Sequence, residues 1–226
     1  MKRFLTGLIF CFLFVLYATS QKVYTLSAGE IIFQSALVKQ NNKDINTNLR
    51  FTAAFHFGEY VHVDLGNHFG LFSGIGLRNV GFITNENKIR IKYRSYNLGI
   101  PLAFKLGSFK KNLYVFGGAE YEWMIHFKQK TFIDGEKIKY AKWFSNRTPA
   151  FIPSVFAGFQ FPAGIQVKFK YYLDNYLNHY FKDGDGYNDY TGFDKTRVWY
   201  ISMSFFIRNE KKNSSKQIPI EIANLF

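Results

Sequence analysis

The chain has 226 residues, a formal net charge of +13, 27 Phe, 15 Tyr and one cysteine, Cys11. A lone cysteine excludes an intrachain disulfide or a thiolate zinc cluster, and this length suits one domain rather than two. With no nucleic-acid motif in the sequence, the basic excess points to other polyanions, namely membrane lipids and surface glycans.

Residues 1–20 have the form of a secretory signal peptide. Lys2 and Arg3 precede an apolar run from Leu8 to Tyr17, and the small triplet Ala18-Thr19-Ser20 follows. Cleavage after Ser20 would remove Cys11; taking 20 residues from 226 leaves 206, and losing Lys2 and Arg3 lowers +13 to +11. No later apolar run has the length of a spanning helix, so membrane insertion would have to use strands.

Eight segments then carry strand character: 29–39, 49–65, 69–84, 89–106, 112–129, 149–161, 164–175 and 195–208. The clearest pattern lies in the fourth, where Tyr96, Leu98, Ile100, Leu102, Phe104 and Leu106 alternate with Ser95, Asn97, Gly99, Pro101, Ala103 and Lys105. Eleven residues at about 3.3 Å each, tilted by about 40°, rise about 28 Å, close to the apolar band of an outer membrane. In the fifth segment Leu113, Val115, Tyr121, Trp123, Ile125 and Phe127 share one face, and Glu120, Glu122, His126 and Lys128 the other. In the seventh, Ile165, Val167, Phe169, Tyr171 and Leu173 oppose Gln166, Lys168, Lys170, Tyr172 and Asp174. Connections at 66–68, 107–111 and 162–163 are short, while 40–48, 130–148 and 175–194 are long.

This pattern predicts an all-β fold, an eight-stranded antiparallel up-and-down transmembrane β-barrel in the bacterial outer membrane, with short periplasmic turns and longer external loops. The barrel would occupy 21–208, with a periplasmic tail at 209–226 and both termini periplasmic. Outward aromatics fall into two belts. Tyr96, Trp123, Phe127, Phe151, Tyr171 and Trp199 belong to the external one, and Phe69, Phe104, Phe159, Phe161 and Phe205 to the periplasmic one. Pro101 and Pro153 lie within strands and lead one to expect a local bulge at each.

Three segments resemble the PorT-like family of outer-membrane β-barrels: Phe69-Gly-Leu-Phe-Ser-Gly-Ile-Gly-Leu-Arg78, Tyr96-Asn-Leu-Gly-Ile-Pro-Leu-Ala-Phe-Lys105 and Ser154-Val-Phe-Ala-Gly-Phe-Gln160. The resemblance spans about residues 49–208 and implies an eight-stranded outer-membrane barrel, with some relatives tied to protein export. The tail after Arg208 departs from the family's usual ending at the last strand.

Inward parity gathers Glu120, Glu122, His126, Lys168, Lys170 and Asp174, joined by His56, His62 and Asp64. An eight-stranded barrel is only wide enough for its own side chains, so these residues are expected to form a self-neutralising polar network rather than a channel. No serine carries a nucleophile motif, so no catalytic residue, cofactor or metal is assigned. The Gly/Asp cluster at 183–189 lacks the glycine and glutamate positions of a calcium loop. Arg90, Lys92 and Arg94 continue the outward face above Tyr96 and are the candidate site, set to meet lipid or lipopolysaccharide phosphates. The expected function is a non-enzymatic outer-membrane protein presenting external loops for binding or envelope structure. The alternative is an accessory role in protein export through envelope or secretion partners; nucleic acid is not expected as a partner.

Overall fold

The structure, a computed structural model, describes residues 22–86, 88–182, 190 and 192–209. The expected signal peptide, the 183–189 cluster and the tail from residue 210 lie outside the described residues. Twelve strands form one antiparallel sheet: β1 (Lys22–Gln40), β2 (Lys43–Ile45), β3 (Thr47–Asn48), β4 (Arg50–Thr52), β5 (Phe57–Asp64), β6 (Phe69–Glu86), β7 (Ile89–Ser108), β8 (Leu113–Ile133), β9 (Glu136–Trp143), β10 (Phe151–Gln160), β11 (Ile165–Tyr172) and β12 (Phe193–Asn209). Eight of them close a ring, β1-β5-β6-β7-β8-β10-β11-β12, sealed where β12 pairs with β1 from Thr25↔Asn209 to Gln40↔Phe193. Closure leaves the ring no free edge, as an apolar surround demands. The short strands β2, β3, β4 and β9 extend the wall at the end where the long connections gather, here called the loop end.

The sequence alternation appears as inside and outside. Ile100, Leu102, Phe104 and Leu106 are each more than half exposed, whereas Ala103 and Lys105 on the opposite parity are buried. Phe33, Phe69, Tyr121, Val155, Phe159, Phe169, Ile201 and Phe205 continue this exposed apolar surface around the ring. So large a band faces hydrocarbon, not water. Glu59, opposite Ser27 and Ile75, interrupts it.

The interior is layered and filled. Toward the loop end Ile32, Val80, Phe82, Tyr93, Phe127, Tyr176 and Val198 form an apolar core, and toward the other end Phe72, Tyr114, Phe116 and Phe156 form an aromatic one. Ionic groups lie between them. The cavity beside Glu30, Arg78 and Phe72 measures ≈ 20 Å³, room for about one water.

Four sequence expectations need correction. The segment 49–65 is not one strand: β4 and β5 both pair with β1, but residues 53–56 lie opposite only Glu30 and Ile31, and Phe55 has a left-handed φ of 65°. The segment 130–148 is not a loop, since β8 runs on to Ile133 and turns through Asp134 and Gly135 into β9. The prolines cause no bulge. Pro101 stays in register with Glu120, its carbonyl accepting from the Ser73 hydroxyl at 2.7 Å, and Pro153 pairs with Tyr121 in an unbroken ladder.

The bulge lies instead at Ile125. Tyr96 pairs with His126 and Asn97 with Met124, which leaves Ile125 unmatched. One extra residue inverts the parity of the rest of β8. Phe127, expected outside, is buried in the loop-end core, and His126, expected inside, sits on the outer face with its ring 4.6 Å from that of Trp143. Lys128 moves outward with it.

Candidate functional site

The bulge builds a cationic ladder. Above it, Arg94 pairs with Lys128, Lys92 with Lys130 and Lys130 with Lys139, while Phe132 stands between Arg90 and Lys137. Directly opposed residues share a face, so one side of the β7-β8-β9 sheet carries Arg90, Lys92, Arg94, Lys128, Lys130, Lys137 and Lys139. Among the described residues none of these seven is in an ion pair. Like charges facing each other across a ladder are destabilising. Phe132 offsets part of this by lying within 4.8 Å of Arg90, 5.5 Å of Lys92 and 5.8 Å of Lys137, centroid to cation. The pKa of Lys92 is lowered, first by burial and then by Arg90, Arg50 and Lys137. That of Lys130 is lowered by burial and by Lys137, Arg94, Lys128 and Lys139. Such a surface gains stability when an anion covers it.

Beside the ladder the wall has a window. β5 pairs with β6 only as far as Phe57↔Leu77, and β3 resumes at Asn48↔Ile83. Across this gap side chains replace a neighbouring strand. His56 Nδ1 accepts from the Asn79 amide at 3.2 Å, and Gln34 Oε1 accepts from the Gly81 amide at 2.8 Å. The Asn79 carbonyl accepts from Gln34 Nε2 at 3.2 Å and from Arg50 Nη1 at 3.3 Å. Arg50 Nη2 also donates to Asn79 Oδ1 at 2.7 Å, and Tyr176 donates its hydroxyl to the Val80 carbonyl at 3.2 Å. The Asn79 amide and carbonyl, the Gly81 amide and the Val80 carbonyl thereby find side-chain partners in place of a strand.

A hollow of ≈ 440 Å³ lies over the window. Its lining combines the apolar Leu49, Phe51, Ala53, Ala54, Phe55 and Tyr96 with the basic Arg50, Lys92, Arg94, Lys128 and Lys130. Phe55 reaches Tyr96 edge-on at 5.8 Å and forms a rim with it. Arg94 Nε is buried with no hydrogen-bond partner.

Inside the barrel, Glu120, Glu122, Lys168 and Lys170 are all buried, and the structure adds Glu30 and Arg78. Arg78 bonds Glu30 at 3.0 Å, the Tyr60 hydroxyl at 2.8 Å and Glu120. Lys168 bonds Glu30 at 2.6 Å, and Lys170 bonds Glu120 at 2.7 Å and also Glu122. Tyr172 and Asn97 donate to Glu122 at 2.7 and 2.8 Å. Three carboxylates thus meet three cations. His126 is outside this network because of the bulge. Asp174 is also outside it, since β11 ends at Tyr172 and the carboxylate turns back to the Asn175 amide at 2.7 Å. His62 and Asp64 gather around Lys105 nearer the short-turn end, with Asp64 2.5 Å from its Nζ.

No protein-family model matches the sequence, and no curated protein matches it. Several solved barrels are similar in architecture. Ail, the attachment invasion locus protein of Yersinia pestis, in complex with the heparin analogue sucrose octasulfate, shares 14% identity at a TM-score of 0.40, over 81% of this chain and 99% of that chain. Neisserial surface protein A shares 8% at 0.39, over 84% and 99%. The outer membrane protein OprG from Pseudomonas aeruginosa shares 11% at 0.36, over 82% and 95%.

Proposed function

We propose that the protein is a non-enzymatic integral outer-membrane barrel whose loop end faces the cell exterior and offers a basic β-sheet to anionic envelope lipids. The observation that carries this reading is the union of an exposed apolar band with an interior that its own ion pairs and aromatic rings fill. A filled ring of eight strands is an anchor, not a conduit. Arg90, Lys92 and Arg94 are then head-group ligands, with Lys128, Lys130 and Lys139 beside them. The motif around Pro101 supports kinship with the PorT-like barrels. An export role would draw on the tail at 209–226, which beyond Asn209 lies outside the described residues.

Fractionation tests the placement. The full chain is expected in detergent-extracted outer membrane, migrating differently on gels before and after heating; recovery in the soluble fraction refutes it. For orientation, Lys137→Cys should react with an impermeant thiol reagent on intact cells, and Asn67→Cys should not; the reverse pattern inverts the barrel.

A further inference from the structure

The ladder and the window hollow are different kinds of surface. The outermost cations, Arg90, Lys137 and Lys139, lie on a strand extension and could meet any polyanion. The hollow is a half-open recess whose lining is both apolar and basic, and it lies where the outward face passes from Tyr96 to Arg94. Its lining asks for a ligand with a compact anionic head and an attached apolar chain, since a free anion would leave Phe51, Phe55 and Ala54 wet. Arg94 Nε is a buried donor awaiting an acceptor, and leaving such a donor unpaired is costly. Arg50 is already fixed by its paired bonds to Asn79, itself held by His56, so part of the cost of ordering a bound phosphate is met before binding.

From this we infer that the hollow is a binding site for a single phosphorylated lipid of the outer leaflet. Its phosphate rests among Arg94, Lys92 and Lys128 with Arg50 behind, and one acyl chain descends past the Phe55–Tyr96 rim toward the apolar band. Phe55 adopts its left-handed conformation to close that rim, and the two residues by which 53–56 exceeds its partner segment supply the chain length to do so. Asn79, His56 and Gln34 are positioning residues, acting on the ligand only through Arg50 and the shape of the window.

This inference rests on the membrane placement proposed above, and its test separates the two. The full-length protein is extracted from its own membrane in mild detergent and its bound lipid measured by native mass spectrometry and phosphate content. Three proteins are compared: wild type, Arg50→Gln with Arg94→Gln, and Lys110→Gln with Lys111→Gln, which removes the same charge from the exposed turn at the opposite end of the barrel. One lipid per barrel is expected for wild type and the second pair, and at least tenfold less for the first pair. A fourth protein, Phe55→Asn, keeps a residue that tolerates left-handed φ; it should lose the lipid while still binding inorganic phosphate. Heat-dependent gel mobility confirms that each variant is folded. Equal lipid loss in both charge pairs, no lipid on folded wild type, or displacement of the lipid by inorganic phosphate alone at millimolar concentration would overturn the site while leaving the barrel in the membrane. A soluble wild-type protein would instead overturn the placement.

Discussion

Arg50 and Asn79 are joined by two hydrogen bonds, at 2.7 Å to the side-chain oxygen and 3.3 Å to the main-chain carbonyl. The pair spans the window where β6 has no strand on its β5 side and holds a guanidinium against the β6 main chain. Asn79→Ala should destabilise the barrel by about 1–3 kcal/mol, the cost of stranding a buried polar partner. The temperature at which the folded gel band disappears should fall accordingly; an unchanged temperature would mean that the window is held by other groups.

The interior network should be sensitive to loss of one member. Arg78→Met removes the cation shared by Glu30 and Glu120 and leaves Lys168 and Lys170 to balance three carboxylates. Breaking a buried ion pair on one side costs about 3–5 kcal/mol. Thermal unfolding in detergent should show a marked loss for Arg78→Met and for Glu120→Gln. Planar-bilayer recordings of the wild type should show no sustained conductance, because aromatic and apolar layers lie on both sides of the ions.

Two glycines make a contrasting pair. A Cβ on Gly99 would collide with the Glu120 carboxylate and crowd Glu122, both fully engaged, whereas one on Gly29 meets nothing within 4 Å. Gly99→Ala should sharply lower the yield of folded barrel, and Gly29→Ala should leave it near wild type. The amount of heat-modifiable protein in the membrane measures both.

Anion binding at the ladder should weaken with rising pH sooner than ordinary lysines would allow. Lys92 and Lys130 have lowered pKa values, so each loses its charge at a lower pH than an isolated lysine. The sign follows from linkage, since a bound anion favours the protonated form and affinity falls once the free site deprotonates. Replacing both with arginine should move the decline to higher pH. Retention on phosphorylated lipid vesicles across an alkaline pH series provides the readout, and identical profiles for the two proteins would remove these lysines from the site.

The strands were legible because a lipid-facing wall imposes its period on every residue, as in β7, where each large apolar side chain between Ile100 and Leu106 is exposed. The Ile125 bulge was not, because Met124, Ile125 and Phe127 put apolar side chains on both parities and give no phase signal. Strand β9 was hidden for a related reason: Glu136–Trp143 lies beyond the apolar band, where neither face must be greasy, so it resembles a loop in composition. Arg90, Lys92 and Arg94 could be found from parity alone. Their partners Lys128 and Lys130 could not, since the same parity, carried through the bulge, assigned Lys128 to the interior. Glu30 and Arg78 escaped the expected network because no contact within either strand marks them, and they meet only when β1 and β6 are brought to opposite sides of a shared interior.

The unmatched Ile125 also bears on how such a surface could change. β8 is two messages in one strand, with a frame boundary between them. Deleting that residue would leave the lower half as it is and exchange the upper half wholesale, turning His126, Lys128 and Lys130 into the lumen and Phe127, Gln129 and Thr131 out toward the membrane edge. A single codon gained or lost is therefore enough to install or erase the whole basic face of this strand, whereas the same change by substitution would need every position above the boundary to alter in turn.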